Sequence, residues 1–103
     1  MAMTPREDEA FAAFLCDKAI EAQRSLGYRP AQFLQMLGTM GGYRAVVALL
    51  SQPRLSEGFA KLWQSGRLDF SVEALVVESE WRSRFDGMLL GIAERRLSDA
   101  GYA

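Results

Sequence analysis

Apolar residues return along this chain every three or four positions, the spacing that lines one face of an α-helix. Phe11, Phe14, Leu15, Ala19, Ala22 and Leu26 make the longest such stripe. Thr4, Pro5 and Glu7 mark its start: a threonine cap, a proline suited to the first helical position, and the glutamate that completes a Thr-x-x-Glu capping box. Glu7, Asp8 and Glu9 put negative charge where the helix dipole favours it, and Gly27 fits the stop.

Arg29 precedes a proline and is expected to be extended, with Pro30 opening a second helix whose inner face carries Phe33, Leu34 and Leu37. Gly41-Gly42 closes it. A third helix is expected from about Tyr43 to Leu50, with Val46, Val47 and Leu50 inward, and Pro53 blocks its continuation. Ser56 caps a fourth, through Phe59, Leu62 and Trp63, which Gly66 stops. Ser71 caps a fifth with Val72, Leu75 and Val76, in a segment closed by Trp81 and Phe85. Leu-Val-Val is also strand material, but an isolated strand would find no partner elsewhere in the chain. Asp86 caps the last helix, which turns Leu89, Ala93 and Leu97 inward and ends at Gly101. The pattern predicts an all-α protein: a single compact domain, residues 1–103, of about six short helices with a longer N-terminal one and residues 1–3 disordered. Short helices of this kind depend on tertiary packing more than on their own propensity.

The composition fits. At 103 residues, half of them apolar, the chain has material for one core without disulfides or metal. Twelve basic and thirteen acidic side chains nearly cancel, and both halves are balanced, so no field of one sign steers it toward nucleic acid or an anionic membrane. The one cysteine, Cys16, beside Phe14 and Leu15, reads as a small buried hydrophobe. No apolar run is long enough to span a bilayer, and the acidic N-terminus is unlike a secretory signal, which makes a cytoplasmic location the expectation.

Candidate chemistry is sparse. The chain has no histidine, so Ser-His-Asp, Cys-His and Cys/His zinc sites cannot be built. Neither the P-loop nor the Gly-x-Gly-x-x-Gly pattern occurs. Glu73, Glu78 and Glu80 could in principle pair as acid and base or hold Mg²⁺, but Glu78 and Glu80 do not share a helix face. The expectation is a protein that is not an enzyme, with no cofactor and no metal.

Two surfaces stand out instead. Met36, Met40 and Tyr43 surround the glycine pair, while Met88, Leu90 and Ile92 lie off the inner stripe of the last helix. A helix apolar on more than one face is either central or covered by a partner. These six residues are the candidate partner surface of a helical protein-interaction module: an adaptor, an accessory subunit or a small homo-oligomer. The alternative is a nucleic-acid-binding module that contacts phosphates through Arg67, Arg82, Arg84, Arg95 and Arg96. It is weakened by the Glu80, Asp86, Glu94 and Asp99 interleaved among those arginines and by a third helix poor in charge for reading bases. Trp63 and Trp81 are either core anchors or interface residues.

The stretches Gly27-Tyr28 through Phe33-Leu34-Gln35-Met36, Gly41-Gly42, Ser56-x-Gly58-Phe59, Leu62-Trp63-x-x-Gly66-Arg67-Leu68-Asp69, Ser71-Val72-Glu73-Ala74-Leu75-Val76 and Trp81 together resemble a family of small bacterial proteins of unknown function. The resemblance covers roughly residues 26–102 and departs from the pattern at Gly87-Met88, where more acidic residues would open the last helix. It implies a helical fold and no particular activity.

Overall fold

The computed structural model describes residues 3–102, and the expectation for the first residues falls partly outside them. Met3, which is described, packs against the core. The described chain is helical, without a strand. Six α-helices run in order as α1 (Pro5–Leu26), α2 (Ala31–Met40), α3 (Gly42–Ser51), α4 (Glu57–Gln64), α5 (Val72–Val77) and α6 (Gly87–Asp99). Short 3-10 turns at Leu68–Phe70 and Glu80–Arg84 flank α5. No described helix is long and apolar enough to cross a membrane.

The caps fall where the sequence places them. Thr4 and Glu7 form a reciprocal capping box, the Glu7 N–H donating to Thr4 Oγ1 at 3.2 Å and the Thr4 N–H to Glu7 Oε1 at 2.9 Å. The hydroxyls of Ser56 and Ser71 accept from the N–H groups of Phe59 and Ala74, and the Asp86 carboxylate accepts from Leu89. Gly27 ends α1 in the left-handed region, at φ 70°. Two boundaries shift: α2 begins at Ala31 with Pro30 as its cap, and the segment after Ser71 is not one helix up to Phe85. α5 stops at Val77 because the Ser79 hydroxyl captures the Trp81 N–H at 3.2 Å and starts a 3-10 turn.

The glycine pair has a role beyond ending α2. Only Gly41 lies between the helices; Gly42 is the buried first residue of α3. There α3 crosses α1 so closely that a Cβ on Gly42 would sit 2.9 Å from Phe11 Cδ2 and 3.0 Å from the Ala12 backbone nitrogen. Since α3 has no side-chain cap of its own, Asp8 of α1 supplies one, its Oδ1 accepting from the Tyr43 N–H at 2.6 Å. Gly41, at φ 84° and ψ 175°, occupies a conformation open essentially to glycine alone. Alanine at position 42 is expected to destabilise the fold by about 1–3 kcal/mol through overpacking against backbone. Gly91 of α6 is exposed with nothing within 4 Å of a Cβ, so Gly91→Ala should stabilise by about 1 kcal/mol. Denaturant midpoints of the two variants should therefore move in opposite directions.

Two hydrophobic clusters share the interior. The larger joins Phe11 and Leu15 of α1, Val46 and Leu50 of α3, Leu75 and Val76 of α5, and Phe85, Leu89 and Ala93 at and within α6. The smaller joins Phe59 and Leu62 of α4 with Leu68, Ala74 and Leu97. α5 stands between them and is buried from Glu73 through Val76. Cys16, expected inside, is half-buried as a free thiol on the flank of the α1 stripe.

α2 differs from the other helices. Phe33, Leu34, Met36, Leu37 and Met40 make it strongly apolar, and Phe33 and Leu37 lean on the larger cluster, yet no residue of α2 is fully buried. It packs on the outside of the larger cluster and helps line the space that residues of both clusters border.

Candidate functional site

Beneath α2, where the two clusters meet, is a cavity of about 330 Å³. Leu15, Ala19 and Ala22 of α1 form one wall, and Phe59 and Leu62 of α4 another. Phe33 and Met36 of α2 roof it, while Phe70, Val72 and Leu75 complete the far side. The local sequence helps build this space: Ala19 and Ala22 are the small residues of the α1 stripe and leave room beside them. Polar groups gather at its edge, on the exposed Arg29, Gln32 and Glu57 and the half-buried Tyr28 and Ser56.

Polar groups deeper in the wall are already engaged. The Ser71 hydroxyl donates to the Leu68 carbonyl at 2.6 Å and accepts from the Ala74 N–H. Glu73, whose side chain is 4% exposed, pairs with Arg96 at 3.0 Å. Among the described residues no buried side-chain nitrogen or oxygen lacks a hydrogen-bond partner. Tyr28 is held protonated further into the basic range by burial and then by the Glu57 charge, so it remains a hydroxyl donor at the cavity edge.

The six candidate partner residues do not form one surface. Met36 roofs the cavity, and Met40, 41% exposed, ends the same helix. Tyr43 instead stacks on Phe85, ring centroids 5.2 Å apart. Leu90 and Ile92 are half-buried against the larger cluster, because α3 and α5 flank α6 on more than its Leu89–Ala93–Leu97 stripe. Met88 alone of that trio points outward, 76% exposed. Of the tryptophans, Trp81 packs on Phe11 at 5.1 Å, and Trp63 is half exposed on α4.

The five candidate phosphate-binding arginines are dispersed, and four of them pair with carboxylates. Arg67 chelates Asp69 with two hydrogen bonds and lies 4.6 Å over the Phe70 ring, which holds the Asp69 carboxyl below its ordinary value. Arg82 meets Glu94 at 3.3 Å, and Arg84 meets Glu7. Arg96 is enclosed by Glu73 and by the Leu49, Leu50 and Gln52 carbonyls at the end of α3. Arg95 is exposed. Of the partners foreseen from sequence, only Glu94 is used; Asp69, Glu7 and Glu73 were not foreseen.

The candidate carboxylates also stay apart. Glu73 lines the cavity but is neutralised by Arg96, Glu78 accepts from the Tyr102 hydroxyl at 2.8 Å, and Glu80 is exposed on the next turn. Burial and then that bond to Glu78 push the Tyr102 phenol up to about 12, keeping it a donor. Among the described residues no three His, Cys, Asp or Glu side chains converge to hold a metal ion. Tyr28, Arg29 and Glu57 at the cavity edge fall in stretches that carry the family resemblance but matched no binding motif in the sequence. No family model, curated protein or solved structure matches the chain.

Proposed function

We infer that the protein is a non-enzymatic helical interaction module, binding a partner chain or a second copy of itself. One observation carries this reading: α2 holds five large apolar residues in ten positions and fully buries none of them. An amphipathic helix normally buries its apolar stripe; here Phe33, Leu34, Met36 and Leu37 stay partly exposed and Met40 is 41% exposed, a surface suited to cover by a partner. The half-exposed Trp63 and the exposed Met88 add apolar side chains of the type that anchor interfaces. The separation of Glu73, Glu78 and Glu80 supports a role without catalysis. The pairing of Arg67, Arg82, Arg84 and Arg96 leaves little for phosphates and weakens the nucleic-acid alternative.

Light scattering across a dilution series, with and without host lysate, tests the reading. The wild type is expected to gain mass with concentration or to retain a partner, and Met40→Lys to weaken that association at least tenfold. A strict monomer that retains nothing would overturn the proposal, as would an association indifferent to charge on α2.

A further inference from the structure

We propose that the cavity under α2 is a binding site for an uncharged small molecule with a hydrocarbon body, its polar end at the mouth beside Tyr28, Arg29 and Glu57. Size is the first argument. An apolar cavity of about 150 Å³ takes up a benzene-sized guest, and about 330 Å³ is twice that. At about 30 Å³ per water-sized group, the space holds roughly eleven non-hydrogen atoms.

The wall chemistry decides the class. Leucine, alanine, phenylalanine and methionine side chains give water few partners, so water is a poor occupant and a hydrocarbon a good one. The deep polar groups, Ser71 and Glu73, are satisfied within the protein and offer a ligand no free donor or acceptor. Charge at the site balances in number: one arginine, Arg29, and one glutamate, Glu57, line the mouth, and Arg96 neutralises Glu73. An ionic head would gain no net attraction, whereas a hydroxyl or amide finds donors and acceptors at Tyr28, Gln32 and Ser56.

The inference is independent of the interaction reading, since a monomer without partners could still hold the ligand. Isothermal titration of the full chain with 1-hexanol, 1-octanol, 1-decanol and 1-dodecanol tests it. Saturable one-to-one binding is expected, tightening about fourfold per added methylene and levelling off near 1-decanol, where the space is full. Decanoate should bind more weakly than 1-decanol. Met36→Trp or Ala22→Phe should abolish binding while circular dichroism remains helical. If both variants unfold, the break in the chain-length series still decides. Absence of saturable binding, affinity that climbs without a break, or decanoate binding the tighter of the pair would each overturn the proposal.

Discussion

Arg96→Ala is expected to lower the unfolding free energy by about 3–5 kcal/mol, the cost typical of breaking a buried ion pair from one side. Three consequences add at one position. Glu73, almost wholly enclosed in α5, loses the charge that balances its carboxylate. The carbonyls of Leu50 and Gln52 at the C-terminal end of α3, and that of Leu49, which also accepts from the Gln52 N–H, lose a cationic donor. The long side chain that ties α6 to both elements is also gone. Net stability for a domain is only about 5–15 kcal/mol, so the variant should unfold at far lower denaturant. Arg96→Ala combined with Glu73→Leu should cost less than Arg96→Ala alone, because no charge is then stranded, although the α3 carbonyls still lack their donor. The cycle is read from urea midpoints at neutral pH. A single-substitution cost under about 1 kcal/mol would mean that Glu73 finds water once Arg96 is removed.

What the sequence disclosed and what it withheld divide by distance along the chain. The capping box and the caps at Ser56, Ser71 and Asp86 span three residues, and such contacts depend on local geometry alone. The inner stripe of α6 was legible for the same reason, because 3.6-residue periodicity needs no partner to be seen. The charged residues were visible but their partners were not. Glu7 reaches Arg84 across 77 positions, Asp8 reaches Tyr43 across 35, and Arg96 reaches Glu73 across 23. Each choice depends on which helices become neighbours, and periodicity does not encode that. The cavity is hidden for the same cause, its walls drawing on five of the six helices and both clusters. The α2 pattern did carry a trace: the helix is as apolar as a core element yet is placed at the edge.

Phe11→Ala should rival Arg96→Ala, at about 3–5 kcal/mol, through loss of packing rather than of charge. Phe11 is completely buried, and its ring lies 5.1 Å from that of Trp81 and 5.7 Å from that of Phe85. It thus joins α1 to the turn before α6 while also filling the approach left by Gly42 of α3. Phe14→Ala is the control: that residue is only half-buried, its ring 6.4 Å from Phe11, and its truncation should cost clearly less. The neighbouring glycine makes a sharper test. A Cβ at position 42 would press first on the Phe11 ring, so Gly42→Ala should be less damaging when Phe11 is already alanine. The Ala12 backbone, 3.0 Å from the same point, does not move with that substitution, so some of the cost must persist. A cycle of Phe11→Ala and Gly42→Ala by urea unfolding is therefore expected to show partial relief. Strict additivity would mean that the ring does not set how closely α1 and α3 approach, and that the backbone contact alone enforces the glycine.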